Sequence, residues 1–178
     1  SISKNIFVVM VTNPVDVMTY LAVETLSLPR NQVFGSGTVL DTGRLRGEVA
    51  EIAGVSPVNV HAYVLGEHGD TSFPAISAAT IAGQRLASFA ETQGFSLQDL
   101  QDSVRQRAYK IIEGKKATYF GIATAVTNIC QAILSNQRRI LTLSVGLTGH
   151  YGLSDVSTSV PVQLGSTGYE FIGEVDLD

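Results

Sequence analysis

The sequence predicts an α/β fold, half of a doubly wound parallel sheet followed by an α+β unit. Three observations carry that reading. Over residues 5–65, short apolar, β-branched runs alternate with segments of helical period, the order of a parallel sheet. From Pro74 to Leu134 the helical period dominates. Two alternating stretches punctuated by glycines then close the chain.

Asn5–Thr12 (NIFVVMVT) reads as a buried strand, because it is short and apolar on both faces. Asn13-Pro14 stops it, and Pro14–Leu26 is a helix with proline near its first position and Val15, Met18, Leu21, Ala22 and Leu26 at helical spacing. Leu28-Pro29 breaks that helix, and Gln32–Gly35 is a second short strand. Thr38–Ala53 is a second helix, with Leu40, Leu45, Val49 and Ile52 on one face and Gly54 as its stop. After the turn at Ser56-Pro57, Asn59–Leu65 (NVHAYVL) is the third strand of the sheet. Three helices follow, near Pro74–Glu91, Ser96–Glu113 and Thr118–Leu134, the middle one opening on a Ser96/Asp99 capping arrangement. Arg139–Leu147 and Val156–Leu164 are the closing strands.

Composition narrows the function classes. A net charge of −4 and the absence of a basic run argue against a nucleic-acid partner. The longest apolar run, Ile6–Val11, is far too short to span a membrane. The single cysteine, Cys130, has no internal partner and sits in an apolar periodic stretch, so it is expected as a buried, inert thiol in a reducing, cytoplasmic setting. With 44% hydrophobic and only 16% charged residues, some apolar surface should face another subunit or another part of the polypeptide.

Ligands of open α/β sheets bind beyond the carboxyl ends of the strands. Asn13 follows the first strand, Ser36 the second, and His68 lies in Gly66-Glu67-His68-Gly69-Asp70 after the third. Asp41 and Arg44, three apart, share a helix face. That spacing suits a solvated surface ion pair as well as a site, and a loop histidine can simply be solvated. Taken together, an Asp, an Arg, a His and an Asn on one rim suggest a site that binds a small carboxylate and moves a proton. No G-x-S-x-G elbow supports a hydrolase triad. Glu67, His68 and Asp70 are too close in one loop for an ordinary metal cage, so no metal site is expected.

Four segments carry a family resemblance: NPVDVMTY (Asn13–Tyr20), GSGTVLDTGRLR (Gly35–Arg46), VLGEHGDTSFP (Val64–Pro74) and KKATYFGIATAV (Lys115–Val126). In order and spacing they resemble the L-lactate/malate dehydrogenase family, most closely its bacterial L-lactate dehydrogenase branch. The resemblance implies a Rossmann-type sheet, NAD as cofactor, a small 2-keto or 2-hydroxy acid as substrate, and a homo-oligomer, typically a tetramer. It implies His68 as the acid/base, Asp41 as its carboxylate partner and Arg44 as the anchor of the substrate carboxylate. Asn13 would contact the substrate oxygen and the nicotinamide, Ser36 the nicotinamide carboxamide, and Thr118 the methyl end of the substrate. Arg46 and His61 match positions that form a basic site between subunits in members activated by fructose 1,6-bisphosphate.

The resemblance also marks departures. The glycine fingerprint, the acidic residue that binds the adenosine ribose and the mobile loop with a second catalytic arginine have no counterpart in this chain, nor does the usual C-terminal helix. The implied organisation is a remnant of the dinucleotide-binding domain over residues 1–34 and a catalytic, substrate-binding domain over 35–178, with the chain alone expected to be inactive. Malate or another 2-hydroxy acid dehydrogenase is the alternative within the class, and a non-catalytic dehydrogenase-like binding module the alternative outside it.

Overall fold

The structure is a computed structural model that describes residues 6–98, 119–171 and 173–177. Its centre is a mixed five-stranded sheet in the order β1-β2-β8-β9-β10. Strands β1 (Val8–Met10) and β2 (Val33–Gly35) run parallel, with α1 (Val15–Thr25) as their crossover. Strands β8 (Arg139–Thr148), β9 (Ser154–Gly165) and β10 (Gly168–Phe171) form an antiparallel meander that joins β2 through Gly35 opposite Ser144. The α/β reading holds, with its α+β second half.

The main core fills the face of this sheet. Phe34, Leu143, Val145, Val162 and Leu164 pack there against Ile129 and Ala132 of α4 (Tyr119–Leu134). The larger of these buried side chains, each contributing about 1.5–3 kcal/mol when fully removed from water, fix the sheet on which the rim is built. Helix α2 (Val39–Ala53) carries Leu45 and Val49 into a second cluster with Val60, Ala62, Ile81 and Leu86. It ends as expected on Gly54, left-handed at φ +66°, where the next amide also turns back to the helix, Val55 N–H donating to Ala50 O. Its Ile52 is exposed rather than on the buried stripe. In α1 the buried face includes the polar Asp16 and Thr19, whereas Leu21 and Leu26 are exposed.

The third strand of the expected parallel sheet does not exist as such. Residues 60–65 split into β3 (Val60–His61), paired with β6 (Thr80–Ile81), and β4 (Val64–Leu65), paired with β5 (Phe73–Pro74), both antiparallel. The reason lies in the side chains. Val60 and Ala62 are buried while His61 is exposed, a one-sided alternation that an interior parallel strand, covered on both faces, does not tolerate. Strand β1 is likewise only half-buried, as an edge strand of the described sheet.

The helix expected over Pro74–Glu91 is helical only in its last third, and a hairpin precedes that part. Strands β6 and β7 (Gln84–Arg85) are joined by Ala82-Gly83, both at positive φ, and only then does α3 (Leu86–Gln93) begin. A two-residue turn with both residues left-handed matches the twist of a hairpin, which outweighs the weak helical spacing around it. The helix expected at Ser96–Glu113 lies almost wholly outside the described residues. Cys130 is exposed, not buried. The buried positions of α4, Ala125, Ile129 and Ala132, define a stripe from which residue 130 is turned away.

Candidate active site

The first turns of α2 are pinned before any functional group is placed. Thr38 donates its hydroxyl to the Val64 carbonyl. The Thr42 hydroxyl accepts from Val64 N–H at 2.9 Å and pairs with the Thr142 hydroxyl at 3.0 Å. Thr38, Thr42 and Thr142 are all buried, so these bonds are shielded from water and tie the helix to β4 and β8. Gly37, at φ +48°, makes the approach possible: a Cβ there would collide with the backbone of β8 at Ser144 N and with Ser159 Oγ. The glycine turn Gly35-Ser36-Gly37 is thus a packing requirement.

On this helix Asp41 and Arg44 form the part-buried ion pair that their spacing suggested, Arg44 Nη1 lying 3.3 Å from Asp41 Oδ1. The other carboxylate oxygen is committed elsewhere. His68 Nδ1 lies 2.7 Å from Asp41 Oδ2. The histidine reaches it from the loop after β4, which begins at Gly66 (φ +90°) and is clamped to β9 by two backbone bonds, Gly66 N–H to Ser159 O at 3.1 Å and Ser159 N–H to Gly66 O at 3.0 Å. The hydrogen bond to Asp41 raises the His68 pKa above its usual value. Partial burial opposes that rise, the charges of Asp41 and Asp16 reinforce it, and Arg44 works against it. The result is an imidazole with Nδ1 occupied by a carboxylate, so its proton chemistry is left to Nε2.

One residue of the site was not singled out from the sequence. Asp16, in the first turn of α1 and 8% exposed, accepts from the His68 backbone N–H at 2.7 Å and from the Ser144 hydroxyl at 2.6 Å. The signal was available: Asp16, Thr19 and Val23 share the stripe that α1 buries, and an acid on a buried stripe needs donors.

Asn13 and Ser36 follow the ends of β1 and β2, which are in register with Met10 opposite Gly35, so both stand at one edge of the sheet. Asn13 is exposed; Ser36 is buried and donates its backbone N–H to Met10 O at 2.8 Å. The His68 loop reaches this rim by the β4 route rather than from the same sheet. Thr118 lies outside the described residues. Arg46 donates Nε–H to Ala62 O at 2.9 Å and lies over the Tyr63 ring at 5.3 Å, in a groove also lined by Asn128 and Arg139. His61 is exposed on β3, next in sequence to that carbonyl, and does not line the groove. Among the described residues no three His, Cys, Asp or Glu side chains are grouped to hold a metal, and no helix is long and apolar enough to cross a membrane.

Known proteins give this arrangement a context. The model of the lactate/malate dehydrogenase alpha/beta C-terminal domain matches residues 38–178. The L-lactate dehydrogenase of Limosilactobacillus fermentum is 43% identical over 178 residues, covering 98% of this chain and 56% of that protein. That of Acetivibrio thermocellus is 44% identical over 181 residues, covering 99% and 57%. The crystal structure of the minor L-lactate dehydrogenase of Enterococcus mundtii in its ligands-bound form superposes with a TM-score of 0.90 at 40% identity, over 97% of this chain and 56% of that one. The chain thus spans about half the length of the relatives it matches. With the domain match covering most of its length and identities above 40%, the chain belongs to the lactate/malate dehydrogenase family.

Proposed function

We propose that this chain is the substrate-binding and proton-transferring part of an NAD-dependent L-lactate dehydrogenase that interconverts pyruvate and L-lactate. The observation that carries the reading is the shared carboxylate of Asp41, one oxygen on His68 Nδ1 and the other beside Arg44. Reduction of a 2-keto acid needs a hydride on carbon and a proton on oxygen. NAD, when bound in its reduced form, supplies the hydride. His68 Nε2 gives the proton to the carbonyl oxygen and becomes neutral; in the reverse direction it takes the hydroxyl proton of lactate. Asp41 fixes the tautomer and stabilises the imidazolium. Arg44 offers a planar fork for the two oxygens of the substrate carboxylate, which orients the carbonyl carbon. The names of the relatives favour lactate over malate as the substrate of the whole protein.

Asn13 and Ser36, at the carboxyl edge of the parallel pair, suit the nicotinamide end of the cofactor; for Thr118 the family resemblance alone suggests the methyl end of the substrate. The match of the C-terminal-domain model from residue 38 onward supports assigning residues 1–34 to a dinucleotide-binding part and 35–178 to the catalytic part. Regulation by fructose 1,6-bisphosphate is proposed at Arg46 and His61 of adjoining copies, supported by the part-buried Arg46, whose Nε–H bonds the carbonyl of Ala62, the residue after His61.

The test of the catalytic reading is His68→Gln in the full polypeptide that carries this chain. Turnover is expected to fall by at least about 100-fold while NADH binding stays within about twofold. Turnover near the unmutated level would end the assignment.

A further inference from the structure

We infer that Asp16 is the positioning residue of the acid/base, an aspartate of α1 that holds the backbone of His68 and ties it to Ser144 of β8. The inference rests on the acid/base reading of His68. Two groups of widely separated sequence meet on this one carboxylate. Oδ2 accepts the backbone N–H of His68, 52 residues away, at 2.7 Å. Oδ1 accepts the hydroxyl of Ser144, 128 residues away, at 2.6 Å. Ser144 is fully buried in the middle of β8, opposite Gly35 of β2, so the carboxylate is anchored to the rigid centre of the sheet.

The arrangement solves a mechanical problem. The His68 loop is fastened to the sheet at Gly66 by two backbone bonds to Ser159. Two residues further on, the chain needs a second fixed point if the imidazole is to stay on Asp41, and the bond from His68 N–H to Asp16 is that point. Asp41 holds the ring at Nδ1 from α2, and Asp16 holds the backbone of the same residue from α1. The place of Asp16 in the first turn of its helix suits an ionised acceptor, because free N–H groups and the helix dipole favour negative charge there. Both of its bonds are charge-assisted, and a buried carboxylate lacking either donor would be costly.

A merely structural residue would affect folding alone. A positioning residue also moves the titration of His68, since the Asp16 charge favours the imidazolium. The charged and polar groups facing His68 are Asp41 and Arg44 from α2 and Asp16 from α1. Removing the Asp16 charge while keeping its shape therefore lowers the His68 pKa. Keto-acid reduction requires protonated His68, so its high-pH limb moves to lower pH.

The experiment compares Asp16→Asn and Ser144→Ala with the unmutated full polypeptide. It reads three quantities: the imidazole titration of His68 by NMR, hydrogen exchange at the His68 amide, and the pH profile of pyruvate reduction. For Asp16→Asn we expect a lower His68 midpoint, faster exchange of the His68 amide and a fall in kcat of about tenfold or more, with the high-pH limb displaced downward. Ser144→Ala keeps the charge and loosens the carboxylate, so it is expected to speed exchange and lower kcat while the His68 midpoint holds. An unchanged His68 midpoint in Asp16→Asn, or unchanged amide exchange in both variants, overturns the proposal. The two NMR readouts need no turnover, so they separate a failure of this inference from a failure of the acid/base reading itself.

Discussion

At the scale of single residues, the site is a contest over two carboxylates. Asp41 serves His68 and Arg44 together, which limits how freely either can move. Replacing Arg44 by Lys keeps the charge and loses the planar fork, so the KM for pyruvate should rise by roughly 30-fold or more, about 2–4 kcal/mol, with kcat affected less. An unchanged affinity for the inhibitor oxamate, measured by steady-state inhibition, would contradict the role. The His68 shift also makes a stability statement. A pKa raised by folding adds stability that is fully present below the unfolded value, near 6.5, and is lost as pH rises through the folded value. His68→Gln should therefore lower Tm more at pH 6 than at pH 9. Equal losses at both pH values would mean the imidazolium gains nothing from its surroundings. His68, Asp41 and Arg44 were legible in the sequence because they are charged residues at strand ends and on one helix face. Asp16 was not, because a first-turn acid ordinarily faces solvent, and only its three-residue spacing from Thr19 on a buried stripe betrays its inward direction.

At the scale of elements, the position of α2 decides the geometry. Its threonines and Gly37 bring the helix against β4 and β8, and Asp41 follows directly from that docking. Gly37→Ala would place a methyl group against the backbone of β8 at a left-handed φ, and it should destabilise the fold by about 3 kcal/mol or more. Chemical denaturation measures this directly, and a loss below about 1 kcal/mol would show that the turn can relax. The helices α1 and α2 and the two long strands were readable from period and from proline and glycine punctuation. Two elements were not. The segment NVHAYVL has the composition of an interior strand, but its alternate polar residues require a solvated face. Ala82-Gly83 breaks what looked like a continuous helix, because hairpin closure depends on two positive φ values that composition barely signals.

At the scale of the whole molecule, the proposed roles fall unevenly. The residues proposed to move the proton are grouped, whereas only Asn13 and Ser36 are proposed to meet a nicotinamide, and the sequence has no G-x-G-x-x-G turn for a pyrophosphate. The isolated 178-residue chain should accordingly show no saturable NADH binding at micromolar concentration by calorimetry. Tight binding would mean a cofactor site built differently. The described surface also carries large exposed apolar side chains, Tyr119 and Phe120 of α4 at 73% and 81% and Leu134 at its other end at 85%, the kind of apolar surface that the composition already suggested. The measurement that bears most directly on the central claim is the pH profile of pyruvate reduction by the full polypeptide, with and without Asp41→Asn. If His68 is the acid and Asp41 sustains its proton, the high-pH limb of the unmutated enzyme lies above the ordinary histidine value and drops toward or below it in the variant. A limb that stays in place when Asp41 loses its charge would contradict the account.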